Sequence, residues 1–328
     1  MQQAKTSTVF IVVAVSLLCL TLSAAGSAAT LFVSSEKDHV LTVLDAESLE
    51  QLGEIATPER PRGMRFSPDG KRLYVACGDG DTVAVVDVQA RKIVGQLDVG
   101  DDPETFDISP DGKSLYVSNE DDALLSVFDI ESGEVVGEVT VGPEPEGVLL
   151  NANGDTVYVA SEVANMVHVI DTESLEIRAN VVVGNRPRRL VLTPDGSELW
   201  VSNELSGSVS ILDTQENAVR DEIVFEPRGF RPEDVTPVGL VMTRNGETAY
   251  VTMGRANHVA VVDVADREVE AYILVGQRPW GVALSADENL LYVTNGLSDD
   301  VSVIDARSRK VVRSVPVGRV PYGVAIAE

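Results

Sequence analysis

Cysteine, histidine and aromatic residues are scarce in this chain, and each shortage removes a class of chemistry. There are two cysteines, Cys19 and Cys77. The first lies in an apolar run near the N-terminus, so export with cleavage would leave Cys77 alone and exclude an internal disulfide. Cys77 ends a strand-like segment where Asn119, Asn203 and Asn295 stand in the related segments. It reads as a small buried side chain rather than a nucleophile. The three histidines, His39, His168 and His258, lie far apart with no carboxylate or cysteine at ligand spacing, so no metal site is expected. Covalent heme attachment, a phosphate-binding glycine loop and a nucleophile elbow all lack their motifs, and no cofactor is expected. Basic residues are few as well: 26 Lys and Arg face 52 Asp and Glu, for a formal charge of −26. Nucleic acid and anionic lipid surfaces are therefore poor partners.

The N-terminus is different in kind. Residues 1–29 carry one charge, Lys5, then an apolar run from Val9 to Leu22, then small residues ending Ser27-Ala28-Ala29. This is the pattern of a cleaved secretory signal, because the run falls short of the roughly 20 residues that span a bilayer. The expectation is a periplasmic protein, residues 30–328, with no membrane insertion after cleavage.

What fills the rest is repetition. A segment like Leu-Tyr-Val-Ser-Asn begins at Leu31, Leu73, Leu115, Val157, Leu199, Ala249 and Leu291, spaced by 42 residues except for one interval of 50. Each repeat holds four short strands, for example Thr105 to Ser109, Leu115 to Asn119, Leu125 to Asp129 and Val135 to Val141. Turn signals such as Pro110-Asp111-Gly112 separate the first two. Strands like Val83-Ala84-Val85-Val86 are apolar on both faces, so both faces must be covered. Seven small sheets stacked around an axis meet that demand, and the fold expected is an all-β, seven-bladed β-propeller. The chain begins on a second strand and finishes on a first strand, Gly323 to Ala327, which together would complete one blade and hide its edge.

Residues common to all copies are read as scaffold. Aspartate closes the third strand at Asp45, Asp87, Asp129, Asp171, Asp213, Asp263 and Asp305, where it would accept hydrogen bonds from turn amides. Function is sought where the copies differ. After the proline that leads into each inner strand stand Arg62, Glu104, Glu146, Arg188, Val238, Trp280 and Tyr322. Four charged blades followed by three apolar or aromatic ones suit a small organic ligand at the channel mouth. Glu36, Glu120, Glu162 and Glu204 open the next loops on the charged side, with Arg62, Arg188 and Arg189 as counter-ions. The 50-residue interval contains an insertion around Phe225 to Pro237, whose Arg228, Phe230 and Arg231 are expected at the mouth as a lid or docking loop.

The motifs Leu115-Tyr116-Val117-Ser118-Asn119 and Leu291-Tyr292-Val293-Thr294-Asn295 resemble the propeller repeats named after Tyr-Val-Thr-Asn. The stretches 230–239 and 254–263, with Asn119-Glu120-Asp121-Asp122, look like an exported seven-repeat family associated with pyrroloquinoline quinone-dependent alcohol catabolism. That resemblance implies a non-enzymatic accessory protein, binding a small organic ligand or docking on a quinoprotein dehydrogenase or an ABC transporter component. It does not imply that the chain holds the quinone, since quinoprotein dehydrogenases resemble eight-bladed propellers with a tryptophan in each blade. Two alternatives stand beside it: a propeller hydrolase such as a lactonase, using Arg188 on a carbonyl and Glu146 as base, and a structural or adhesive propeller.

Overall fold

A computed structural model describes residues 29–327; the expected signal segment lies outside them, apart from Ala29. Seven four-stranded antiparallel sheets form the molecule, and in six of them the strands follow chain order from the axis outwards. Six blades are continuous in sequence. In the third blade the strands are Pro103–Ile108, Ser114–Asn119, Leu124–Asp129 and Val135–Thr140, within two residues of the expected bounds. The remaining blade joins the inner strand Pro321–Ala327 to Thr30–Ser35, with Val33 opposite Val324 and Leu31 opposite Ile326. The ring thus closes by strand pairing between the two ends of the described chain, leaving no blade short of an inner strand.

The driving force is burial between blades. Second and third strands are almost wholly buried, and the clusters they build run across each blade interface; Phe32, Leu41, Leu73, Val75, Cys77 and Val86 form one of them. Outer strands such as Val135–Thr140 are mostly exposed. The repeated aspartates do what was expected of them: Asp45 Oδ1 accepts from the amides of Ser48 at 2.7 Å and Glu47 at 3.1 Å, and the other six carboxylates accept from their own turns in the same way. Gly112 sits in the left-handed region at φ 73°, as a tight hairpin after Pro110-Asp111 requires.

Two devices fix the inner strands. Position three of an inner strand is glycine in five blades, because neighbouring inner strands nearly touch: a Cβ on Gly239 would stand 2.1 Å from the Trp280 carbonyl oxygen. The hydroxyl of the Tyr-Val-Ser/Thr-Asn segment then binds the same carbonyl position of the next blade. Ser34 donates to Arg62 O at 2.9 Å, Ser202 to Val238 O at 2.7 Å, Thr252 to Trp280 O at 2.9 Å and Thr294 to Tyr322 O at 2.7 Å. Arg62, Val238, Trp280 and Tyr322 are therefore each held by the backbone from the blade before.

Candidate functional site

At the end of the channel where the inner strands begin, the varied residues meet, but they do not stand open. Arg62, Glu104, Glu146, Arg188 and Tyr322 are all less than a tenth exposed. The charges have paired across blades. Arg62 bonds Glu104 and reaches Glu36 at 3.0 Å; Arg188 bonds Glu162 and lies 3.4 Å from Glu146. Glu162 also takes Arg186 at 2.6 Å, and Glu204 takes Arg278 at 3.0 Å. Glu120 lies beside Asp102 and Glu104, forming an acidic group that Arg60 already occupies from Asp102 at 2.9 Å and from Glu104. The aromatic side of the mouth joins in through its faces. Trp280 and Tyr322 lie 5.6 Å apart, with Arg278 4.7 Å over the indole and Arg62 4.3 Å over the phenol ring.

Two residues depart from glycine at position three, Thr105 and Arg189, and the second changes the site. Arg189 occupies the place of Gly63, Gly147, Gly239, Gly281 and Gly323, and its guanidinium extends towards the axis. It donates to Glu146 Oε1 at 2.7 Å and to the Tyr322 hydroxyl, which in turn donates to the same Glu146 oxygen at 2.8 Å. Arg189 is 21% exposed where Glu146 is 2% exposed. The cluster is therefore a buried carboxylate presented to the channel through an arginine and a phenol.

The electrostatics separate the carboxyl groups. Burial alone would raise Glu146, but Arg188, Arg189 and Arg62 outweigh it and hold this group well below the usual carboxylate range. Glu104 moves the opposite way: burial first, then the Glu146 charge, push it well up against the pull of Arg62. Glu162 is raised by burial to about 7, with Arg188 drawing it down and Glu146 pushing it up. Burial likewise keeps the Tyr322 hydroxyl protonated far into base.

Below the cluster lies the channel, a cavity of about 840 Å³ whose wall includes Arg189, Trp280 and Tyr322 at one end and Ser285, Ala286 and Glu288 at the other. The insertion is elsewhere. Phe230 packs edge-on against His258 at 5.5 Å, the amide of Glu226 donates to the Tyr272 hydroxyl at 2.8 Å, and Arg231 pairs with its neighbours Glu233 and Asp234. The segment covers the outer strands of the sixth blade, and Arg228, Phe230 and Arg231 do not line the channel cavity. Sequence reasoning missed the weight of Arg189, and of Arg60, Arg186 and Arg278 just before the prolines. The glycine at position three in five blades was the available signal.

Two family descriptions and several solved structures are similar to this chain. The family described as Lactonase, 7-bladed beta-propeller matches residues 172–326, under half of the chain, and that of the Cytochrome D1 heme domain matches residues 26–148. No curated protein matches the sequence. Among solved structures, hydrazine synthase of Kuenenia stuttgartiensis is similar at 25% identity and a TM-score of 0.77, covering 84% of this chain and 92% of that one. The periplasmic gluconolactonase of Pseudomonas aeruginosa has 22% identity and a TM-score of 0.77 over 92% of this chain and 99% of that one. A dihydro-heme d1 dehydrogenase has 18% identity and a TM-score of 0.69 over 90% and 74%. At these identities the likeness establishes the seven-bladed fold.

The findings correct the expectation of a non-enzymatic accessory to quinoprotein-dependent alcohol catabolism. The matching families are lactonase and cytochrome D1, not the quinone-associated one, and the named neighbours include a periplasmic gluconolactonase. The physical reason is visible in the cluster: an ionised carboxylate, a phenol and an arginine converge on a solvent cavity, where an accessory protein was expected to show a docking rim. A heme fits less well. Among the described residues no histidine lines the cavity, and Met64 and Met242 are its only soft ligands.

Proposed function

We propose that this chain is an exported propeller hydrolase that opens lactones. The observation that carries it is the meeting of Arg189, Tyr322 and Glu146 at the closed end of the channel; the lactonase family match over residues 172–326 supports it. Arg189 spends its two terminal nitrogens on Glu146 and Tyr322, leaving Nε and a partly exposed edge for a substrate carbonyl. A water attacking that carbonyl passes a proton to the Tyr322 oxygen as the Tyr322 proton moves to Glu146. The tetrahedral oxyanion faces the guanidinium, and collapse expels the ring oxygen, which recovers the proton by the reverse path. Glu146 is ionised across the working pH range yet is a weak base, so most of the acceleration falls on positioning and on Arg189.

The test is a lactone panel assayed with the mature protein, with Glu146→Gln and with Tyr322→Phe. Tyr322→Phe keeps the ring contacts with Trp280 and Arg62 and removes the hydroxyl that relays the proton and accepts from Arg189, so kcat falls by about 100-fold or more with little change in KM. Turnover by Tyr322→Phe within threefold of the parent removes the relay; absence of turnover by the parent on every lactone removes the function.

A further inference from the structure

We propose that the channel is entered from the face of the Pro-Asp-Gly hairpins and takes an uncharged lactone with an aliphatic body, an inference that rests on the hydrolase reading above. The entrance follows from burial. Along the sixth inner strand, Pro237, Val238 and Gly239 are buried and Leu240, Val241 and Met242 are half-buried; Pro279 is buried and residues 280–284 are half-buried in the seventh. Exposure thus grows towards the end where the hairpins stand. At the other end Arg62, Glu104, Glu146 and Arg188 seal the axis with ion pairs. A substrate approaching there would have to displace buried charges; from the hairpin end it meets Arg189 directly.

The wall selects the body of the substrate. At position five of the inner strands, Leu149, Val191, Val241, Ala283 and Ala325 line the cavity in five blades, with Arg65 and Asp107 in the other two. The polar side chains that share the wall already have protein partners, and Arg189 keeps only its Nε and one edge for the lactone carbonyl. Arg65 lies 3.4 Å from Asp107, Arg244 3.3 Å from Glu288, and Arg189 2.7 Å from Glu146. Ser285 donates to Asp287 at 2.7 Å, and the Thr105 hydroxyl donates to the Glu146 carbonyl. A phosphate or carboxylate on the substrate would have to share a cation with a protein carboxylate, and sugar hydroxyls would meet side chains that already have a partner. An aliphatic body needs neither, and it dehydrates apolar wall as it enters.

Binding is measured on the mature protein by tryptophan emission, since Trp280 lines the cavity, using non-hydrolysable lactams of three shapes: δ-decanolactam, gluconolactam and its 6-phosphate. The expected result is at least tenfold tighter binding of the decyl compound, with tenfold weakening by Ala283→Glu or Ala325→Glu. Equal or tighter binding of either sugar lactam overturns the inference, and so does decyl binding that both glutamates leave unchanged. The comparison of ligands on the parent protein needs no variant, so a substitution that fails to fold does not blunt the test. Decyl binding without turnover of any lactone would instead sink the hydrolase reading while leaving the channel's preference standing.

Discussion

Replacing Arg188 with methionine takes the cation from the middle of the buried cluster and keeps most of its volume. Glu162 loses its closest partner and retains Arg186 at 2.6 Å; Glu146 retains Arg189 at 2.7 Å, and Glu204 retains Arg278 at 3.0 Å. Breaking a buried ion pair from one side costs about 3–5 kcal/mol. Unfolding a domain of this length releases about 0.6 kcal/mol per degree at the usual 2 cal/mol/K per residue, so the melting temperature should fall by about 5–8 °C. The deficit should also depend on pH. Glu162 titrates near 7 in the fold against an ordinary 4.5, so between those values the folded chain holds a proton that the unfolded chain has released. That contribution is complete below 4.5 and is lost as the pH rises through about 7. Without Arg188 the Glu162 carboxyl rises further, and protonation relieves the unpaired charge. Calorimetry at pH 5 and pH 8.5 should therefore show the larger deficit at pH 8.5. A deficit that is the same at both pH values, or below about 2 °C at each, would refute the idea that Arg188 is held there by charge.

Three further outcomes follow from the scaffold. Ser202→Ala removes the bond to Val238 O and the acceptor that meets the Arg189 amide at 3.0 Å; the cost should be about 1–2 kcal/mol, read as a melting shift of a few degrees, and no shift would mean that the hydroxyl does not couple the blades. The Cys77 thiol, buried and pushed up to about 12, should resist a disulfide reagent in the folded protein and react once urea unfolds it; stoichiometric labelling of the native state would contradict its burial. Deleting residues 324–328 removes the pairs Val33–Val324, Phe32–Ala325, Leu31–Ile326 and Thr30–Ala327, and should lower the melting temperature by more than 10 °C; an unchanged value would mean that closure contributes nothing.

Sequence carried the fold nearly in full, because the blades repeat the same local signals: a turn glycine in five of them, strands apolar on both faces, and an aspartate capping its own turn in all seven. The varied ring was legible too, since residues such as Glu146 and Trp280 differ at one register of otherwise equal copies. What those residues do to one another was not. Arg62 finds Glu104, and Arg189 finds Glu146 and Tyr322, across separations of 42 to 133 residues that no local pattern encodes. An open, divided mouth was the natural reading of unpaired symbols, whereas in three dimensions opposite charges close the axis. The insertion misled for a related reason. Its Phe230 reads as a ligand-facing aromatic, yet His258 and the outer strands of the sixth blade offer it a nearer apolar surface.

The hydroxyl that a blade lends to the next has a consequence for how such a ring can diversify. Ser34, Ser202, Thr252 and Thr294 grip a main-chain oxygen, and they grip it equally well whether the residue there is arginine, valine, tryptophan or tyrosine. These sockets of fixed backbone can thus be refilled one at a time with little disturbance to the frame that holds them. Chemistry at the axis becomes a matter of which seven side chains are plugged in, and a new activity is a few substitutions away from an old one without any change of fold.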